Sequence, residues 1–297
     1  MAQETRLITS YMRFFATLLI TNAHIGPLYP SSLQLMSTGG ALGNSLFFFC
    51  SGYALYLSNR EQGFYTWITR RFTRIYPSLW IFMIICTLFK IESYHIQDII
   101  IPTYWFLQAI LVFYILLFFT LKYFNKYLWT ICILLLIPFF FTYFNMKHDI
   151  WIIENISENN FLHWYFYYII MLLGVMTAQK QRTTNVKRIY IYIMVPLILL
   201  FYYSLKIQLL HTQHPIYNLQ LLLPLLLGLF AIYTFKLCET LSTLHKTNMT
   251  SFILFISKLT LDIYCPIYYH EIFCPIQISD RIHTSYYFNY YLCISIK

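Results

Sequence analysis

Arg13 and His24 are the residues of this 297-residue chain whose types and spacing best suit chemistry. Both fall inside one apolar segment, Leu7 to Gly26. Eleven helical positions make about three turns and end roughly 20° from their start, so the two side chains share a face, about 16 Å apart along the axis. A guanidinium near a bilayer centre costs on the order of 2.5 to 3.5 kcal/mol on insertion scales, which directs it toward protein or a water-filled cavity. An imidazole can take a proton near neutral pH, for instance from a hydroxyl whose oxygen attacks an acyl carbon. A lone histidine at a helix end is often only an interfacial polar residue. The second costly polar group on its face favours a shared interior path.

Two further stretches carry polar chemistry. WITRRFTRIYPSLW, Trp67 to Trp80, reads as a loop that leads into the third apolar helix, with Pro77 able to start that helix. Arg70, Arg71 and Arg74 can serve simply as positive charge retained on one side of a membrane. Their planar forks also suit phosphate, and Phe72 and Tyr76 can stack on a nucleotide base, so a phosphorylated cytosolic donor fits there. In GNSLFFFCSGYAL, Gly43 to Leu55, the small residues Ser51 and Gly52 allow close helix approach, and the serine hydroxyl can bond across the contact. A serine nucleophile is the weaker reading, because the GxSxG elbow is missing and no base adjoins it.

The elements that position these groups follow from composition. The chain is 59% hydrophobic, 21% aromatic and 10% charged, which excludes a soluble domain with a polar shell and predicts an all-α, polytopic membrane helix bundle. Nine apolar runs are long enough to cross hydrocarbon: Leu7 to Gly26, Gly40 to Ser58, Ile75 to Phe89, Tyr104 to Leu121, Leu128 to Phe144, His163 to Ala178, Ile189 to Leu205, Leu219 to Phe235 and Phe252 to Tyr269. Glu271, Asp280, Arg281 and His283 interrupt the tail, and its closing run, Tyr286 to Ile296, is too short for an ordinary tenth crossing. With no internal repeat or low-complexity linker, residues 1–297 read as one domain, with 271–297 a divergent or shortened end.

Basic residues alternate between the connecting segments. Arg6, the Arg60 to Arg74 group, Lys122 and Lys126, Lys180 to Arg188, and Lys236 and Lys246 mark the cytoplasmic side and place the amino terminus inside. The formal charge of +9 is therefore mostly topology, and no nucleic-acid-binding motif accompanies it. The first segment lacks a clear cleavage site and reads as an uncleaved anchor. Cys50, Cys86, Cys132 and Cys265 lie in apolar runs without metal-ligand spacing, so free thiols and no metal are expected. Cys274 and Cys293 can pair or stay reduced.

Taken together, these stretches resemble the acyltransferase 3 family of membrane-bound O-acyltransferases that modify surface polysaccharides and related glycoconjugates. The resemblance rests on Arg13 and His24 at an Arg-x10-His spacing, LFFFCSGYAL at Leu46 to Leu55, RRFTRIYP at Arg70 to Pro77 and YWFL at Tyr104 to Leu107, in that order. Later in the chain, FYYIIMLLGVMTA around Gly174 is a loose match. In KLTLDIYCPIYYH, Thr260, Leu261 and Tyr264 follow the family's pattern, but Ile267 stands where a histidine is usual and His270 lies one turn further on.

The resemblance implies ten spans and a multi-pass protein of the bacterial inner membrane. It implies acyl-coenzyme A, most often acetyl-coenzyme A, as donor, and a carbohydrate or lipid-linked glycan hydroxyl as acceptor. It casts His24 as base, Arg13 as its essential partner, Arg70, Arg71 and Arg74 as donor-binding residues, and Ser51 and Trp105 as lining of the substrate cavity. A transporter or flippase for an anionic glycan, or an inactive remnant of the enzyme, are the competing readings.

Overall fold

The computed structural model describes residues 2–30, 36–58, 63–90, 94–102, 105–145, 162–180, 188–211, 216–244 and 248–258. Among these residues every regular element is helical. The helices are α1 (Ala2–His24), α2 (Gly40–Leu57), α3 (Phe64–Leu88), the short α4 (Ile96–Ile100), α5 (Trp105–Tyr123), α6 (Leu128–Asn145), α7 (Leu162–Gln179), α8 (Arg188–His211), α9 (Leu222–Leu244) and α10 (Asn248–Lys258). Single 3-10 turns lie at Gly26–Leu28 and Ile216–Leu221.

Among the described residues, four segments are long and apolar enough by themselves to cross a membrane: Trp105–Tyr123, Leu128–Asn145, Arg188–Leu209 and Leu219–Ser242. The nine or ten crossings expected from sequence are thus met by four helices on length and composition alone. Helices α1, α2, α3 and α7 are comparably long but carry Arg13, Asn44, the three arginines, or a run of Tyr and Trp. α6 and α2 mark two extremes of burial. α6 presents Trp129, Ile133, Ile137, Phe141 and Phe144 outward, with Phe141 72% exposed, as a lipid-facing helix must. α2, by contrast, is buried along nearly its whole length and need not satisfy lipid. The ninth expected run, Phe252 to Tyr269, is described only as far as Lys258, and the tail with Cys265, Cys274 and Cys293 lies outside the described residues.

The bundle is centred on α2, which packs chiefly against α1 and α7. The α1–α2 pair is antiparallel, because Gly43 meets Ala16 and Ile20 while Cys50 meets Thr9. The α2–α7 pair is parallel, with Phe48 against Tyr167 and Gly52 against Met171. Two glycines set this second contact. A Cβ on Gly52 would stand 1.9 Å from the Met171 carbonyl oxygen, and one on Gly174 would stand 2.1 Å from that of Phe49. The two backbones therefore touch, as small residues permit between helices in lipid.

α3 departs from the expected loop. Trp67 to Trp80 is helix from Phe64 onward, and Pro77 lies inside that helix rather than at its start. Pro77 removes one backbone donor, a loss that membrane helices tolerate where neighbours compensate. Here α3 is held on both sides of the proline. Before it, Trp67 Nε1 donates to the Tyr114 carbonyl at 3.2 Å and the Tyr76 hydroxyl donates to the Ile100 carbonyl; after it, Trp80 Nε1 donates to the Ile99 carbonyl at 3.1 Å. The arginines consequently sit on a rigid helix, where their relative directions are fixed.

Candidate functional site

Below, the near end of the bundle is the end at which α1 begins, and the far end is that at which α1 finishes. In the near half of the bundle four helices bring cationic and hydroxyl groups together. Arg13 is half-buried on α1, and its Nε donates to the Thr9 carbonyl at 3.2 Å. On its face, Thr17 and Ile20 are buried, whereas Leu18, about 140° around the helix, is 49% exposed. Arg13 thus faces protein. From α2, the Cys50 thiol donates to the same Thr9 carbonyl at 3.5 Å, and Arg13 and Arg74 both lie within electrostatic reach of that thiol.

The next residue, Ser51, shares a hydrogen bond with the Tyr114 hydroxyl of α5, and Arg74 and Arg71 of α3 both act on that phenol. Arg13, Ser51, Arg71 and Arg74 therefore belong to one constellation. Tyr114 is a member that sequence reasoning missed, since nothing in an apolar run marks one tyrosine among 28.

The three α3 arginines differ in what holds them. Arg71 lies 3.8 Å over the Trp67 ring, donates to the Trp67 carbonyl at 2.9 Å and reaches Ser58 Oγ at 3.4 Å. Its pKa is drawn below the ordinary guanidinium value by burial first, opposed by Tyr114 and reinforced by Arg70 and Arg74. A guanidinium still keeps its charge at neutral pH. Arg70 and Arg74 are exposed. This division gives a testable contrast. Arg71→Lys loses the planar stack and its forked bonds, so a destabilisation of about 1–2 kcal/mol, read as a lower melting temperature in detergent, is expected. Arg70→Gln and Arg74→Gln are expected to leave that temperature unchanged and to weaken coenzyme A binding. Equal melting temperatures for all three variants would remove the distinction.

Phe72 and Tyr76, expected to stack on a base, are stacked on each other at 4.8 Å with planes 11° apart. Phe72 keeps one face exposed. At the far end, His24 closes α1 half-buried, with Nδ1 enclosed. The chain after it folds back onto the same helix. Asn22 Nδ2 donates to the carbonyls of Met36 and Thr38 at 2.7 and 3.0 Å, the Tyr29 hydroxyl donates to Asn22 Oδ1 at 2.7 Å, and Lys206 of α8 donates to Thr38 Oγ1 at 2.7 Å. Gly39 turns the chain into α2 with φ +121°, a conformation that other residues rarely adopt.

Trp105 begins α5 beside His163 and Tyr167 of α7, with ring centroids 4.5 and 5.9 Å away. Arg13 and Arg74 thus act on one neighbour, Cys50, and α1 carries His24 on the same face about 16 Å further along. Among the described residues no three His, Cys, Asp or Glu side chains converge as metal ligands, and Cys50, Cys86, Cys132 and Cys238 are free thiols.

A match to the family described as an acyltransferase domain extends over residues 10–269, which takes in Arg13, His24, Ser51, Arg70, Arg71, Arg74, Trp105 and Tyr114. The chain belongs to the acyltransferase 3 family. Neither a curated protein nor a solved structure matches it. Membership makes it a membrane acyltransferase, and its apolar helices suit an integral membrane protein. In this acyltransferase the polar groups lie at two levels of one bundle, cationic at one and aromatic and imidazole at the other.

Proposed function

We propose that this acyltransferase takes an acyl group, most simply acetyl, from acyl-coenzyme A on the cytoplasmic side and passes it to a carbohydrate hydroxyl of a surface polysaccharide or glycolipid on the opposite side. The observation that carries this reading is the convergence of Arg13, Arg71, Arg74, Ser51 and Tyr114 from four helices at the near end of a family acyltransferase. The excess of basic residues toward that end supports reading it as the cytoplasmic one, in a multi-pass protein that we place in a bacterial inner membrane with nine or ten crossings.

Arg70 and Arg74 would hold the donor phosphates, and Arg71 would keep the helix face in place. Arg13 would hold the donor deeper in the bundle, about 16 Å short of His24 along α1. His24 would take the proton of the acceptor hydroxyl while that oxygen bonds to the acyl carbon. The carbon–sulfur bond then breaks, and the thiolate of coenzyme A leaves and is protonated. The long pantetheine arm of the donor suits the axial separation of Arg13 and His24.

Purified protein in liposomes, supplied with labelled acetyl-coenzyme A, tests this. Release of thiol that depends on an added carbohydrate acceptor is the expected result. Movement of glycan across the bilayer without thiol release would instead establish a transporter.

A further inference from the structure

His163 is not needed by the chemistry above, yet its Nε2 is enclosed in protein and has no hydrogen-bond partner among the described residues. A buried polar atom without a partner is costly, and native structures keep few of them. Its surroundings are aromatic. The Trp105 ring meets the imidazole edge-to-face at 82°, Tyr167 stands 6.3 Å from it, and Trp105 and Tyr167 are stacked with planes 22° apart. Trp105 and His163 are both half-buried.

The register of α2 and α7 adds a polar neighbour. Phe48 meets Tyr167, and one turn back on each of these parallel helices stand Asn44 and His163, at one level. The group therefore combines flat apolar faces with an unused imidazole nitrogen, at the end of the bundle away from the arginines.

We propose that Trp105, Tyr167 and His163 form the acceptor subsite, with a pyranose ring lying on the Trp105 face and one of its hydroxyls hydrogen-bonded to His163 Nε2. A pyranose suits this arrangement because its axial C–H groups make a weakly positive apolar face that complements an aromatic ring, while its rim is all hydroxyl. Binding sites of this kind are largely apolar, with a few placed polar groups that set orientation. The proposal rests on the carbohydrate acceptor of the preceding section. His163 is a binding residue here, and His24 remains the base.

The test uses the full chain in nanodiscs and a panel of methyl pyranosides of glucose, galactose, mannose and N-acetylglucosamine, with binding read by saturation-transfer NMR. The expected result is binding of at least one member, weakened tenfold or more in His163→Phe and lost in Trp105→Ala, while coenzyme A raises the melting temperature of all three proteins equally. His163→Gln, which keeps a hydrogen-bonding group, is expected to restore part of the affinity. Equal pyranoside affinity in the wild type and His163→Phe overturns the proposal, as does a wild type that binds no member of the panel. Pyranoside binding that depends on His163 in a protein that never releases thiol would uphold the subsite and overturn the acyl-transfer reading instead.

Discussion

His24→Ala is expected to lower acyl transfer by about 10²–10⁴-fold, the usual contribution of a positioned general base, with the amount of protein in the membrane unchanged. The expectation comes from placement. His24 closes α1 with Nδ1 enclosed, on the face that carries the buried Thr17 and Ile20, and the segment after it is tied back through Asn22. Coenzyme A affinity should be the same in this variant, because Arg70, Arg71 and Arg74 are at the other end of the bundle. Measuring initial rates and coenzyme A binding on one preparation separates these effects. Retained acylation would remove the histidine from the chemistry, and lost coenzyme A binding would place it in the donor site.

The second large effect concerns the α2–α7 contact. Gly52→Ala and Gly174→Ala each put a methyl group against backbone, at 1.9 and 2.1 Å from carbonyl oxygens that cannot rotate away. The helices must separate, and the loss propagates to Ser51 next in sequence and to Tyr167 and His163 on the partner helix. A destabilisation on the order of 3 kcal/mol or more is expected for either variant, at the upper end of what overpacking costs. Gly63→Ala is the control, since among the described residues nothing lies within 4 Å of the added atom. Thermal unfolding in one detergent compares the three. A Gly52→Ala protein that melts with the control would mean that the two backbones do not touch in solution.

Legibility in the sequence varied with the length scale of the signal. The shared face of Arg13 and His24 follows from helix geometry alone, and α1 runs unbroken through both. The close approach at Ser51 and Gly52 was readable as a small-residue pair, although its partner, Gly174, stood in a stretch that only loosely resembled the family. The start of α3 was misread. Three arginines and a proline mark a loop by composition, but Trp67 packs on Phe118 and bonds to Tyr114 across 47 positions, and that contact holds the segment helical. Tyr114 and His163 were invisible for the same reason: their roles arise from neighbours on other helices, which no local pattern encodes. Hydropathy also does not reveal which long helix is enclosed, and α2 is buried along nearly its whole length.

The central claim is that Arg13 of α1 and Arg74 of α3 serve one donor site although 61 positions separate them in sequence. A double-mutant cycle on coenzyme A affinity tests it most directly, with Arg13→Gln, Arg74→Gln and the pair measured by calorimetry on the full chain. Coupling of about 1 kcal/mol or more is predicted, as for residues that share a ligand or a network. Effects that add to within about 0.3–0.5 kcal/mol would mark the two arginines as independent and contradict the account.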